Sequence, residues 1–199
     1  MPELLAIVAT LLTATFLVPQ IVRLLSSGDT AGLSTVWAGF GVVTNLAWVA
    51  YVGAQDLWVA SIAPAMAVVS YSITLFLIVR RTPGIGWWRS TFWYSASLLA
   101  AEALMGPAGL GLLLAMTPAA QLMPGVIAVY GTRRPTGVAP VTWVIAAAEA
   151  LLWGGYGWLV ADLPLIGYGV ITVIGSVLIL ARCWATRSRI RFARPLVEV

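Results

Sequence analysis

The hydrophobic pattern of the chain consists of long apolar runs separated by short polar segments. The runs are continuous, and each is about 20 residues long, which matches a helix that crosses the hydrocarbon core of a bilayer. They lack the alternation of apolar and polar positions that is typical of a transmembrane β-barrel strand. We therefore predict an all-α membrane protein with seven transmembrane helices, at 3–25, 34–53, 57–80, 87–105, 108–130, 138–160 and 163–186.

The fourth and fifth predicted helices are separated only by the segment Met105-Gly106-Pro107-Ala108-Gly109. Proline cannot continue a helix and glycine tolerates a chain reversal, so this segment predicts a tight turn. The composition leaves no room for a water-soluble domain, because 61% of the residues are hydrophobic and only 9% are charged. A soluble domain carries roughly 25% charged residues.

The basic residues fix the predicted orientation. All 11 are arginine, and the seven-helix interpretation places every one on the same side of the membrane. They are Arg23, Arg80, Arg81, Arg89, Arg133, Arg134, Arg182, Arg187, Arg189, Arg191 and Arg194. The opposite side carries Glu3, Asp56 and Asp162 and no base. The positive-inside rule then predicts an N-terminus outside and a cytoplasmic C-terminus.

Charge and residue usage also limit the function classes. The net charge of +4 reflects this topology and a basic tail at 187–199, so we expect anionic lipids as partners and no nucleic acid. Cys183 is the only cysteine, and the chain has no histidine and no lysine. This composition argues against a disulfide, a metal site, a cofactor and enzyme activity. The first span lacks a preceding basic flank, so no cleavable signal is expected. Arginine-only, alanine-rich usage indicates a prokaryotic plasma membrane.

The second half of the chain repeats features of the first half at a constant offset. Aligning Pro19 with Pro124 gives an offset of 105 positions, the difference between 124 and 19. The same offset pairs Gly32 with Gly137, Trp48 with Trp153 and Tyr51 with Tyr156. Two rare aromatic residues in one register indicate an internal repeat. We predict parallel three-helix repeats at 1–80 and 108–186, with 81–107 as a linker helix that restores the orientation.

Two motifs, LVPQ at 17–20 and LMPG at 122–125, flank this linker in a three-plus-one-plus-three arrangement. The arrangement resembles the PQ-loop family and, within it, the SWEET sugar transporters. The segment WGGYG at 153–157 is similar to the family motif Trp-x-x-Tyr-Gly, whereas the first repeat reads WVAYV at 48–52. The resemblance implies a transporter that moves a small polar solute, most directly a sugar, by alternating access.

The resemblance further implies hinges at prolines. Pro19 and Pro124 lie inside predicted helices, where each removes a backbone hydrogen bond. Pro140 is a third candidate hinge, although it could instead start the sixth helix. Gln20 either bonds the carbonyl that Pro19 frees or reaches another helix, and Gly125 takes its place in the second repeat.

Glu149 lies 11 positions from each end of the predicted span 138–160 and is therefore at mid-membrane. A charged residue there costs roughly 2.5–3.5 kcal/mol on insertion scales, so it should face the bundle interior or a wet cavity. We consider Glu149 a candidate proton carrier; alternatively, it only hydrogen-bonds a neighbouring helix. Glu102 lies three residues from the outer end of the fourth helix, and we expect it to snorkel and be structural.

The residues around Glu149 predict a binding cavity. Trp153 and Tyr156 follow Glu149 on one helical stripe, and the second helix has an equivalent stripe. Its members are Thr44, Trp48 and Tyr51, with Asn45 alongside. Facing stripes would form an aromatic-walled cavity suited to a small polar solute, although each tryptophan could instead fill the core or an interface belt.

The chain departs from the sugar transporters at one point. Those proteins carry an asparagine in the third helix of each repeat, and the matching places here are Ala63 or Pro64 and Tyr168 or Gly169. Tyr168 completes our set of candidate substrate-binding residues. A proton-coupled carrier of an amino acid or other metabolite, which uses Glu149, is the alternative function, and a KDEL-receptor-like ligand receptor is a further one. One chain contains both bundles, so a monomer could form the pathway, and a homo-oligomer is left open.

Overall fold

The computed structural model describes residues 2–56, 61–82 and 86–192, and within these ranges it contains helices and no strand. The helices are α1 (Pro2–Thr15), α2 (Val18–Ser27), α3 (Thr35–Ala54), α4 (Ile62–Arg81), α5 (Trp87–Gly131), α6 (Pro140–Leu159) and α7 (Leu163–Phe192). The predicted all-α class is confirmed. The start of the predicted helix 57–80 lies outside the described residues.

The first predicted helix is interrupted. Helix α1 ends at Thr15 and α2 begins at Val18, so Pro19 is the second residue of a new helix. The proline ring cannot accommodate the carbonyl four residues earlier, which belongs to Thr15, and proline has no N–H to donate. The chain resumes its helix at once, since the Ile21 amide donates to the Leu17 carbonyl at 2.9 Å. The prediction of Pro19 inside a continuous helix was wrong in this respect.

Helix α5 contains a sharp reversal at Gly106, whose backbone has φ 63° and ψ −160°. The two halves of α5 fold back on each other. This is shown by the Tyr94 hydroxyl, before Gly106, which lies beside the Thr117 hydroxyl, after it. A straight helix would separate these residues by roughly 34 Å. Leu98 and Leu114, on opposite sides of the reversal, belong to one buried cluster. The predicted tight turn is thus a single non-helical glycine followed by Pro107.

Five helical segments are long and apolar enough to cross a membrane: Glu3–Ser27, Thr35–Ala54, Ile62–Arg81, Trp87–Gly131 and Leu163–Thr186. Helix α6 has 20 residues too, but it contains Glu149. Large apolar side chains cover the outside of the helices, Leu104, Leu163 and Trp184 among them. A surface of this kind is suited to lipid and not to water. The chain is an integral membrane protein.

The helices pack as a closed ring. Helix α1 lies between α4 and α6, α3 between α4 and α5, and α7 between α5 and α6. The third helix of each half, α4 or α7, therefore packs between the other two. Helices α6 and α7 approach closely, since a Cβ on Gly169 would lie 2.7 Å from the Gly154 Cα atom. Small residues allow this backbone contact, which supplies dispersion energy between helices in lipid.

Helix α7 extends beyond its predicted end. It continues from Leu163 to Phe192, so the basic segment predicted as a separate tail at 187–199 begins as part of the helix. Nothing in the sequence between Thr186 and Phe192 breaks a helix, because neither proline nor glycine occurs there. The side chains from Arg187 onward, and with them the predicted lipid anchor, lie outside the described part of the chain.

We expect Gly106→Ala to lower the free energy of unfolding by about 1–3 kcal/mol, because φ 63° with ψ −160° is a region that only glycine adopts without strain. The space around Gly106 is open, so the effect should come from the backbone alone. Gly131→Ala is the matched control, since its Cβ would also meet open space and its φ is not positive. Unfolding in mixed detergent micelles gives the midpoints of the two variants. Equal midpoints would show that an alanine at position 106 is not strained.

Candidate functional site

A buried carboxyl group lies at the centre of the ring. Glu149 of α6 is 1% exposed, and its side chain is held by hydroxyl groups from two other helices. The Thr13 hydroxyl of α1 lies 2.8 Å from Oε2, and the Tyr168 hydroxyl of α7 donates to Oε1. Trp153 Nε1 donates to Thr13 Oγ1 at 3.0 Å. These bonds connect α1 with α6 and α7, which belong to opposite halves of the chain.

Thr13 can serve both protonation states of Glu149. Its hydroxyl also lies 2.9 Å from the Ala9 carbonyl, and a single hydrogen can be donated to only one of the two acceptors. An ionised Glu149 takes this hydrogen. A protonated Glu149 can donate to Thr13 instead, whose hydrogen then turns to Ala9. The network therefore tolerates a change of charge with no movement of the helices.

Two connected spaces surround this network. We call the space that reaches Asp162 the upper one and the space that reaches Glu149 the lower one. The upper space is lined by residues that include Asn45, Trp48, Tyr51, Trp153 and Tyr168, and the lower space by residues that include Asn45, Trp48, Glu149 and Tyr168. The volumes open to water-sized molecules are about 50 and 40 Å³. This is room for a few water molecules, since each needs about 10–15 Å³ by this measure, so a larger solute would need the helices to move apart. We call the two spaces together the central cavity.

The arginines define one end of the ring. Arg23, Arg81 and Arg182 donate to the carbonyl oxygens of Thr136, Leu24 and Thr132, respectively. We call this end the arginine end. The loops 28–34 and 132–139 interlock there, and a Cβ on Gly137 would lie 2.7 Å from both the Ala31 nitrogen and the Asp29 carbonyl oxygen. This end is closed at the level of backbone contact.

Gln20 fastens the same closure. Its Nε2 donates to the Gly137 carbonyl at 2.9 Å, and its Oε1 accepts from the Ala139 amide at 2.9 Å. The side chain is fully buried and uses both ends of its amide. Of the two predicted roles of Gln20, the structure has no bond to the carbonyl freed by Pro19. The side chain reaches the second half of the chain instead, where it bonds Gly137 in the loop and Ala139, the residue that caps α6.

Asp29 strengthens the contact between these loops. The Thr136 hydroxyl and the Ala31 amide hold the pKa of this carboxyl below its usual value, and the nearby Arg23 adds to the effect. A depressed pKa in the folded state means that ionised Asp29 stabilises the loop contact above its unfolded-state pKa. The contribution is lost as the pH falls through the folded-state value.

The end of the cavity away from the arginines is held by fewer contacts. The Tyr51 hydroxyl of α3 donates to Asp162 Oδ2 at 3.2 Å, while Asp162 Oδ1 accepts from the Leu165 amide at 2.9 Å and so caps α7. Tyr51 and Asp162 both line the upper space. Among the described residues, which leave out 57–60 directly after α3, this side-chain bond joins the two halves at this end, whereas a backbone interlock joins them at the arginine end.

The structure brings together most of the predicted substrate-binding residues. Asn45, Trp48, Tyr51, Glu149, Trp153 and Tyr168 all line the central cavity. Tyr156 does not. Its half-buried ring packs edge-to-face on Trp153, with 5.8 Å between the ring centroids, because it lies near the end of α6, two helical turns beyond Glu149. The role of Tyr156 in substrate binding stays a prediction.

The remaining predicted residues occupy other positions. Pro124 lies within α5 and lines a lateral groove beside Met123 and Ile127. Pro140 is the first residue of α6, the position that the alternative interpretation gave it. Glu102 is half-buried, and one of its carboxyl oxygens is inaccessible and has no hydrogen-bond partner among the described residues. We expected Glu102 to snorkel to the membrane surface. The structure agrees only in part, because Glu102 is half-buried one helical turn before the reversal at Gly106.

Several site residues were missed. Thr13 holds the network together, Asp162 lines the upper space, and the buried Gln121 donates from Nε2 to the Tyr71 hydroxyl at 2.7 Å below Glu149. Gln121 carried a usable signal, since a polar amide within an apolar span must find a partner. A threonine in a membrane helix carries none, because it usually bonds its own backbone.

The described lining of the central cavity contains two acids and no base. Among the described residues, no three cysteine or acidic side chains are close enough to hold a metal ion. No arginine belongs to the described lining of the central cavity. The acids in it are Glu149 and Asp162. The site can therefore bind a polar or positively charged molecule by aromatic contact, a few hydrogen bonds and carboxylates.

A comparison of this chain with family models, with curated protein sequences and with solved structures finds no match.

We expect Thr13→Val to lower the free energy of unfolding by about 1–3 kcal/mol, because it leaves Trp153 Nε1 and one Glu149 oxygen buried without a partner. Thr10→Val is the matched control, since the Thr10 hydroxyl bonds only the Ala6 carbonyl of its own helix. Thermal unfolding in detergent compares the two variants. Similar melting temperatures would show that the Thr13 hydroxyl does not support the network.

Proposed function

We propose that this protein is a SWEET-like PQ-loop transporter, which moves a small polar solute across the membrane by alternating access. In this proposal seven helices cross the membrane as two parallel three-helix bundles and a linker, the halves of α5 being two of them. The arginine end is cytoplasmic and the N-terminus is outside. One observation carries the proposal: a cavity with a largely aromatic and apolar lining and a few polar groups lies between the two halves of the chain, and each end of it is closed by a different set of contacts.

The unequal ends support alternating access. The arginine end is sealed by the Gln20 bonds and the interlocked glycine loops, whereas the other end is joined by the bond from Tyr51 to Asp162. A solute would enter from outside when that bond opens. Release to the cytoplasm requires Gln20 to leave Gly137 and Ala139. Pro19 directly precedes Gln20, so the interruption between α1 and α2 allows α2 to move with Gln20 while α1 keeps Thr13 at the site.

The resemblance makes a sugar the first solute to test. The cavity offers aromatic rings for the apolar faces of a sugar and Trp48 Nε1 for one of its hydroxyl groups. Neither half supplies the third-helix asparagine of the sugar transporters, since Ala63, Pro64, Tyr168 and Gly169 occupy those places.

A disulfide across the arginine end tests the proposal. Asp29 and Thr136 lie close together at the arginine end, since the Thr136 hydroxyl acts on the Asp29 carboxyl and a Cβ on the neighbouring Gly137 would lie 2.7 Å from the Asp29 carbonyl oxygen. We expect oxidation to bridge cysteines at both positions in a Cys183→Ala background. We expect oxidised Asp29→Cys/Thr136→Cys protein in proteoliposomes to lose at least about 90% of its flux, since the closed end cannot open. A reductant should restore the flux.

The assay would use labelled glucose, sucrose, lysine and choline, and each single cysteine variant serves as a control that should keep its flux under oxidation. No flux of any of the four solutes through the unmodified protein would contradict the proposal. Equal flux before and after oxidation would contradict alternating access.

Proton coupling through Glu149 is the second candidate function. The observation that favours it is a fully buried carboxyl group whose described partners are hydroxyls and no base. The titratable groups that face it are Tyr168 of α7 and Tyr71 of α4, while α1 contributes only Thr13. Glu149 could therefore exchange its proton with the cavity and keep its hydrogen bonds through Thr13 in both states.

An inward proton gradient should stimulate uptake by the unmodified protein several-fold, and Glu149→Gln should remove the stimulation because it cannot carry a proton. Glu102→Gln is the matched control, as an intramembrane acid outside the cavity lining, and should retain the stimulation. Uptake by Glu149→Gln that still responds to the gradient would assign Glu149 a structural role.

A further inference from the structure

The central cavity is acidic and contains no compensating base. Glu149 and Asp162 belong to its lining. The chain has no lysine or histidine, and Arg23 and Arg134 line a separate space at the arginine end, near the loop that Gln20 holds. An anionic solute would lose its hydration here and find no positive charge, whereas a cation would find carboxyl groups.

The cavity also has few free hydrogen-bonding groups. Asn45 Nδ2 donates to the Gly41 carbonyl at 2.8 Å, Thr44 bonds the Tyr94 hydroxyl at 2.6 Å, and the Gln121 amide is engaged by Tyr71. A sugar presents many hydroxyl groups, each of which needs a partner when it is desolvated. The polar groups in the lining are largely paired with one another, so they favour a solute with fewer polar atoms.

Two buried donors of the lining are left over, Trp48 Nε1 and Trp143 Nε1, and of these two tryptophans Trp48 is the one that lines both spaces. Trp48 is 6% exposed, and its Nε1 has no hydrogen-bond partner among the described residues. Its ring lines both the upper and the lower space. A buried indole N–H without a partner costs free energy, so it should donate to an acceptor on a bound molecule.

The aromatic rings around Trp48 meet at near right angles. The Trp48 plane makes 82° with Tyr51 and 80° with Tyr168, with centroid separations of 5.7 and 6.1 Å. Perpendicular rings form the corner of a box and can present π-surface to one point from several directions. Ammonium groups bind to such surfaces, best of all to tryptophan.

We propose that the central cavity selects a small organic cation with one hydrogen-bond acceptor, such as an ammonium alcohol. The ammonium group lies against the rings of Trp48, Tyr51 and Tyr168, with Glu149 and Asp162 as its countercharges. The acceptor takes the hydrogen of Trp48 Nε1. This substrate class rests on the proposed transport function, but it is tested by binding alone.

Equilibrium binding to the purified protein in detergent tests the proposal, with labelled choline and ethanolamine as probes. We expect saturable binding that unlabelled glucose and acetate do not displace. Trp48→Leu should weaken binding roughly two- to thirty-fold, the range of a cation–π contact. Glu149→Gln should weaken it at least about tenfold through loss of the countercharge.

Matched controls separate these effects from unfolding. Trp158→Leu removes a tryptophan that is 73% exposed, and Glu102→Gln removes an acid outside the cavity lining, so both should bind choline as the unmodified protein does. Binding of glucose in place of the two cations would overturn the proposal, and so would the absence of binding by either cation. Equal losses in the site and control variants would overturn it too.

Binding and flux together distinguish a failure of the proposed transport function from a failure of the proposed substrate class. Choline that binds at this site without crossing proteoliposome membranes would support the substrate class and contradict transport. Glucose flux without choline binding would support transport and overturn the substrate class.

Discussion

The burial of the Glu149 carboxyl group is the constraint on which the centre of the molecule depends. A carboxyl group away from water must have hydrogen-bond partners, and here they come from Thr13 and Tyr168. Thr13 lies 136 positions away along the chain. Satisfying one acid therefore fixes α1 against α6 and α7, and the same threonine holds Trp153 in the cavity wall. An apolar residue at position 149 would need none of these hydrogen bonds.

The two ends of the ring are built from different interactions, and the difference matters for movement. Backbone contacts at Gly32 and Gly137 and the two bonds of Gln20 close the arginine end. At the other end, the bond between Tyr51 and Asp162 joins the halves within the part of the chain that the structure describes. In lipid, where apolar burial does not drive helices together, such polar and close-packed contacts decide which surfaces stay joined.

The helices could be predicted from the sequence to a large extent, and the exceptions have local causes. Long apolar runs gave the positions of α3, α6 and both halves of α5, since the bilayer imposes the length of a spanning helix. The interruption before Pro19 and the continuation of α7 to Phe192 were missed. Proline in a membrane helix either bends it or divides it, and the neighbouring helices determine which occurs.

The sequence by itself determined that the chain is an apolar helical membrane protein and that Glu149 needs a polar environment. These properties depend on the cost of placing each residue type in lipid, which requires no knowledge of the fold. The tertiary structure alone decided that Thr13 is the partner of Glu149, that Gln20 holds the opposite loop, and that Tyr156 stays outside the cavity. Those choices depend on how α1, α6 and α7 meet, and neither spacing nor composition records the contact between distant segments.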